Sequence, residues 1–150
     1  MSVEPGALDS NILVYAVEGG APQHAISRML VEAARDPATT LYLTSQVLCE
    51  FYSIVTNPRR VAVPRSTTEA LAVISALLAL PGIRLLPTPA RTVAGWMALL
   101  QRHPVTGGEV FDLQLVATML ANDVRRIYTF NTEDFEVFPE LTVIAPTVAA

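Results

Sequence analysis

Four acidic residues carry the chemical interest of this chain: Asp9, Glu50, Asp112 and Asp134. They lie 41, 62 and 22 residues apart (50−9, 112−50, 134−112), so they form no local motif. Glu50 shares a helical stripe with Val47, Phe51 and Ile54, where a lone carboxylate is costly to desolvate. Asp112 aligns with Leu115, Val116 and Met119 at i+3, i+4 and i+7. Asp9 follows the apolar pair Ala7-Leu8, and Asp134 lies just past a strand-like run ending at Phe130. Each acid also has a plain reading. Asp9 suits a helix N-cap, Asp112 a first-turn acid favoured by the helix dipole, and Asp134 a turn. Glu50 suits a salt bridge or the margin of its stripe. Taken together they suggest another role. Carboxylates gathered in one crevice repel, and a hard divalent cation relieves that repulsion. Oxygen ligands alone favour Mg²⁺ or Mn²⁺ over zinc. Such a site can activate water for phosphodiester hydrolysis.

The elements that must position these acids alternate in type. A first strand ends at Ala7-Leu8, and Asn11–Val17 reads as helical up to Gly19-Gly20. Pro22–Arg35 has helical apolar spacing, with Pro22 tolerated in the first turn. Leu41–Leu43 is a short strand, and Thr44 or Ser45 caps a helix running to about Thr56. Ser66-Thr67-Thr68-Glu69 is a capping box opening an apolar helix to Leu80. Ile83–Leu86 is a strand, followed by a helix from Thr88 to about Arg102. Glu109–Ala121 is a helix, Arg126–Phe130 a strand, Asn131–Phe138 a loop or short helix, and Leu141–Ile144 a last strand. This alternation predicts an α/β domain with a mainly parallel sheet and helices on both faces. In such sheets ligands bind at the carboxyl ends of the strands. That is where the acids fall.

Composition narrows the setting. With 150 residues, 51% of them hydrophobic, one domain with a sizeable core is expected. A single cysteine, Cys49, allows no internal disulfide and fits a reducing, cytoplasmic setting. Glu4 and the lack of a basic start do not match a signal peptide. The apolar run Ala70–Leu80 is too short to span a bilayer. The net charge of −4 argues against holding nucleic acid by bulk electrostatics, but not against an enzyme that cuts it. All ten basic residues are arginine, which suits phosphate contacts but reads first as a coding bias.

Four segments resemble the ordered motifs of PIN-domain ribonucleases. They are Leu-Asp-Ser-Asn-Ile-Leu-Val-Tyr-Ala at 8–16, Leu-Cys-Glu-Phe-Tyr-Ser-Ile-Val-Thr-Asn-Pro around Glu50, Phe-Asp-Leu-Gln-Leu-Val-Ala at 111–117, and Thr-Phe-Asn-Thr-Glu-Asp-Phe at 129–135. The nearest group is the VapC-type toxins of bacterial toxin–antitoxin pairs. The resemblance implies a three-layer PIN-like fold and an endoribonuclease dependent on Mg²⁺ or Mn²⁺. It also implies a homodimer with an antitoxin partner and RNA as substrate. By position, Asp9 and Asp112 would be the main metal ligands, with Glu50 completing the site. Asp134 would be the outer acid, and Asn11, Thr129 and Asn131 supporting residues. The chain departs from the family in two places. Pro5-Gly6 interrupts the first apolar run, which predicts a short first strand. Asn122-Asp123 replaces the glycine that often ends the helix after the third motif, and Asn tolerates the left-handed conformation.

Other residues carry less. Arg59, Arg60 and Arg65 form a cluster that offers RNA phosphate contacts or a solvated loop. His24 and His103 read as surface residues, Cys49 as a packed thiol, and Trp96 and Met97 as core or interface. Two rivals remain in view. A PIN-like chain can serve as a silent binding module, although retained acids argue against that. A magnesium phosphatase would want a second Asp two residues after the first, where this chain has Asn11, and a lysine, which it lacks.

Overall fold

The computed structural model describes residues 3–147. Five parallel strands form one sheet: β1 (Gly6–Leu8), β2 (Leu41–Thr44), β3 (Ile83–Leu86), β4 (Arg126–Tyr128) and β5 (Thr142–Ile144). Their spatial order is β3-β2-β1-β4-β5. The chain builds outward from β1 to β3, then returns to the other side of β1 with β4 and β5. The order therefore reverses between β1 and β4. At such a switch point neighbouring connections leave in opposite directions and open a crevice at the strands' carboxyl ends.

Among the described residues six helices cover the sheet: α1 (Ser10–Val17), α2 (His24–Glu32), α3 (Ser45–Val55), α4 (Thr67–Leu78), α5 (Thr92–Arg102) and α6 (Val110–Ala121). α1 packs on α2 and α3, and α3 on α4, while α5 and α6 pair with each other. Helix layers on either side of the sheet make the three-layer α/β arrangement expected from the alternation. Phe51, Phe135 and Phe138 are fully buried with Leu43, Met119 and Ile127. Burying each of these large apolar side chains contributes roughly 1.5–3 kcal/mol. No helix among the described residues is long and apolar enough to cross a membrane.

Local chemistry explains the element ends. Thr44 closes β2 and its side chain accepts from the Val47 N–H at 3.1 Å, so α3 starts with no intervening loop. Ser66 and Glu69 complete the predicted capping box of α4. β1 is three residues long, as the Pro5-Gly6 interruption predicted. Gly6 is needed there, because a Cβ would come within 2.8 Å of the Tyr128 ring.

Four boundary expectations are corrected. α5 starts at Thr92 rather than Thr88, because Pro89–Arg91 form a turn first. The segment from Pro22 becomes helical at His24 and tightens to a 3₁₀ turn over Ala33–Arg35. β4 ends at Tyr128, because Thr129 and Phe130 already belong to the loop. After α6 it is Asp123, at φ 57°, that turns left-handed, while Asn122 stays at φ −110°. Asp shares with Asn a short polar side chain that tolerates this region.

Candidate active site

Asp9 sits where β1 ends, at the switch point, and is 7% exposed. It is an N-cap as well as a site acid: Oδ1 accepts from the Ser10 N–H at 2.8 Å. Its Oδ2 faces across the crevice to the end of β4. There it accepts from the Thr129 hydroxyl at 2.8 Å and from Asn11 Nδ2 at 3.2 Å. Asn11 Nδ2 also reaches Thr129 Oγ1 at 3.2 Å, and Asn11 Oδ1 accepts from the Phe130 N–H at 3.2 Å. Thus α1 and the loop after β4 are laced together around one carboxylate. Burial raises the Asp9 pKa. The Thr129 hydroxyl and the Ser10 N–H oppose the rise, while the charges of Glu50 and Asp134 add to it.

Glu50 occupies the second turn of α3. The buried stripe of that helix is Val47, Phe51 and Val55, with Ile54 half-buried. Glu50 therefore lies at the margin of the stripe rather than inside it, half-buried and hydrogen-bonded. Ser10 Oγ donates to its Oε2 at 3.2 Å and Gln46 Nε2 to its Oε1 at 2.8 Å. Gln46 Nε2 also donates to the Phe111 carbonyl at 2.7 Å, which ties α3 to the first turn of α6.

Asp112 stands in that first turn, after a 3₁₀ turn (Gly107–Glu109) that opens with Gly107 at φ 60°. Leu115, Val116 and Met119 are buried along its face, as the spacing predicted. The Asp112 pKa is raised to about 7, first by burial and then by the charges of Asp134, Asp9, Glu50 and Glu109. Asp134 is exposed and ends a 3₁₀ turn over Thr132–Asp134, yet its charge bears on both Asp9 and Asp112. The four acids thus share one electrostatic neighbourhood. None of them has an arginine partner among the described residues, where the ion pairs are Arg35–Glu32, Arg65–Glu18 and Arg102–Glu140. Among the same residues, no group of three or more His, Cys, Asp or Glu side chains is set as it stands to hold a metal ion.

The supporting residues divide. Thr129 and Asn11 act through side chains, whereas Asn131 is exposed and contributes its backbone N–H, which donates to Thr129 Oγ1 at 3.0 Å. The arginine cluster divides too. Arg59 and Arg60 are exposed, and Arg60 lines a groove of about 620 Å³ that reaches Asn11. Arg65 is committed inside the chain, to Glu18 at 2.5 Å and the Val17 carbonyl at 2.9 Å. Cys49 is exposed rather than packed. Met97 is exposed and Trp96 half-buried on α5. His24 and His103 are half-buried rather than surface residues, against the Tyr15 carbonyl and the Phe138 ring.

Sequence reasoning missed Ser10 and Gln46. Both carried a signal: Ser10 directly follows Asp9, and Gln46 lies one helical turn before Glu50 on the same face.

The family model described as PIN domain matches residues 7–141, from β1 to the residue before β5. The chain belongs to the PIN-domain family. Ribonuclease VapC33 of Mycobacterium tuberculosis is 31% identical to this PIN domain over 133 residues, spanning 89% of this chain and 92% of that protein. Among solved structures, Mycobacterium tuberculosis VapC20, a sarcin–ricin loop cleaving toxin, superposes with a TM-score of 0.67 at 16% identity. The match covers 90% of this chain and 95% of that one. A toxin–antitoxin complex from Klebsiella pneumoniae gives a TM-score of 0.61 at 17% identity, covering 95% and 98%. The structural likenesses show the PIN fold, and the sequence relative places the chain with the VapC type.

Proposed function

We propose that this PIN domain is an endoribonuclease that hydrolyses RNA phosphodiester bonds with Mg²⁺ or Mn²⁺, and is the toxin of a toxin–antitoxin pair. The observation that carries the reading is the gathering of Asp9, Glu50, Asp112 and Asp134 around the switch point without a cationic partner among the described residues. The donor set is oxygen only and suits a hard cation. Mg²⁺ commonly keeps several waters and uses one or two carboxylates, so a closed three-ligand cage is not required. Asp9 and Asp112 would hold the ion, with Glu50 acting through water. When bound, the ion would activate water and offset charge developing on the phosphate. The residues of the chain do the rest. Thr129 and Asn11 fix Asp9 Oδ2, Ser10 and Gln46 fix Glu50, and Asp134 adds charge at the outer edge. Arg59 and Arg60 are free to meet RNA phosphates on the Asn11 side, a role closed to Arg65.

The relatives support the wider assignment. VapC33 is named a ribonuclease, and the Klebsiella protein was solved with its antitoxin. We assign this chain an antitoxin partner of its own. A second copy is favoured by exposed apolar side chains on the edge strand β3 and on the helices before and after it in the chain: Leu71 and Leu78 on α4, Leu85 on β3, and Val93 and Met97 on α5. The test is cleavage of a structured RNA panel with Mg²⁺, Mn²⁺ or EDTA, beside the Asp9→Asn variant. Metal-dependent cuts lost in the variant, with an unchanged circular dichroism spectrum, are expected. Equal cutting by the folded variant would refute the assignment.

A further inference from the structure

A second groove, separate from the one Arg60 lines, opens beside the acids. It has a volume of about 480 Å³, and Glu50 forms part of its wall. Ser45, Gln46, Cys49, Ser53, Phe111 and Gln114 also line it. Apart from Glu50, no lining side chain is charged, so the groove is ill-suited to a phosphate. Its hydroxyls and amides offer donors and acceptors to a flat heteroaromatic edge, and one aromatic ring stands among them. That ring is Phe111, 55% exposed and the immediate neighbour of Asp112. An exposed phenylalanine beside a polar groove contributes nothing to the core. Its backbone is nevertheless held firmly, because Gln46 Nε2 bonds both the Phe111 carbonyl and Glu50. The backbone that carries the ring is therefore tied to the Glu50 carboxylate.

We propose that this groove seats an unpaired RNA base flanking the cut phosphate, with Phe111 as its stacking platform. The inference rests on the ribonuclease reading and adds to it the side chain that positions a base beside the cut. Bases in a continuous helix are stacked on one another and present no free face, whereas loop and bulge bases can be splayed onto an aromatic ring. Gln114 and the Ser45 and Ser53 hydroxyls line the groove and are placed to meet the base edge, while the Gln46 amide stays committed to Glu50 and the Phe111 carbonyl. The Phe111 ring supplies binding whatever the base, since every base has a π face.

The test uses Phe111→Leu, which keeps an apolar side chain at an exposed position, and Phe111→Trp, which keeps a stacking ring. The probe is a short single-stranded RNA carrying a cut site mapped in the panel, with 2-aminopurine placed in turn on each side of the cut. Binding is read in the cleavage-silent Asp9→Asn background, and kcat and KM with Asp9 intact. One flanking 2-aminopurine should be quenched on binding, and the quench should be lost with Leu and kept with Trp. Phe111→Leu should raise KM on the order of tenfold, with kcat changed far less. Equal quenching and KM in the Leu variant, while the parent protein still cuts, would overturn the stacking seat and leave the ribonuclease reading standing. Loss of antitoxin binding alone in that variant would overturn it too, and make Phe111 a protein contact. A parent protein that cuts no RNA would remove both readings together.

Discussion

Burial, followed by the charges of Asp134, Asp9 and Glu50, pushes the Asp112 carboxyl pKa up to about 7 in the metal-free chain. An aspartate in an unfolded chain titrates near 3.9. The folded state therefore binds more protons than the unfolded state between those values. Stability contributed by this group is fully present below about pH 4 and is lost as pH rises through about 7. Its partial exposure screens the effect, so the direction is what matters. In EDTA, the thermal midpoint should fall as pH rises from about 5 to about 8, and Asp112→Asn should flatten that fall. Mg²⁺ added at the alkaline end should restore the midpoint of the parent protein and leave the variant almost unmoved. Calorimetric scans across pH, with and without the ion, check both halves. A variant stabilised by Mg²⁺ as strongly as the parent would show that Asp112 does not face the ion. The pattern of charges around Asp9 and Asp112 was not legible residue by residue. A first-turn aspartate is ordinary, and burial, reinforced by the approach of Asp134, Asp9 and Glu50, makes this one a proton holder.

Helix and strand ends do the positioning. β2 passes into α3 at Thr44 without a loop, so Gln46 and Glu50 fall in the first two turns above the strand ends. The type and order of elements were readable because hydrophobic period and capping are local signals. The late start of α5 was less so, since a proline fits both a first helical turn and the turn before a helix. Gly82, just before β3, shows a constraint that pattern cannot reveal. A Cβ there would lie 2.6 Å from the Thr39 carbonyl oxygen and 2.9 Å from Ala34 Cα. Both obstacles are backbone and cannot rotate away. Gly82→Ala should cost on the order of 1–3 kcal/mol by overpacking, towards the upper end. Urea denaturation monitored by circular dichroism reads this as a lower midpoint at unchanged slope.

Among the described residues the sheet ends at two edge strands, β3 and β5, and β3 has exposed apolar side chains on itself, on α4 packed against it, and on α5, the next helix in the chain. An unpaired edge beside apolar surface is a place for another chain to dock. In the proposed dimer, Leu78→Glu combined with Met97→Glu should shift the protein towards monomer in light scattering, since buried unpaired charge opposes association. Each protomer should keep its circular dichroism spectrum. A dimer unaffected by both charges would move the interface elsewhere.

The sequence by itself determined the alternation of strands and helices, the four acids and their order, and the supporting pair Asn11 and Thr129. The alternation and the acids follow from residue type and short-range period, which every stretch of chain carries with it, whereas Asn11 and Thr129 were singled out by the resemblance to the PIN-domain motifs. Tertiary structure alone decided what those residues meet. Arg65 finds Glu18 across 47 positions, Gln46 joins Glu50 to the start of α6, Cys49 faces outward, and Phe111 stands in the groove beside the acids. The reason is physical. Burial, charge coupling and pairing depend on which distant surfaces pack together, and that is fixed by strand order and helix docking rather than by neighbours in the chain.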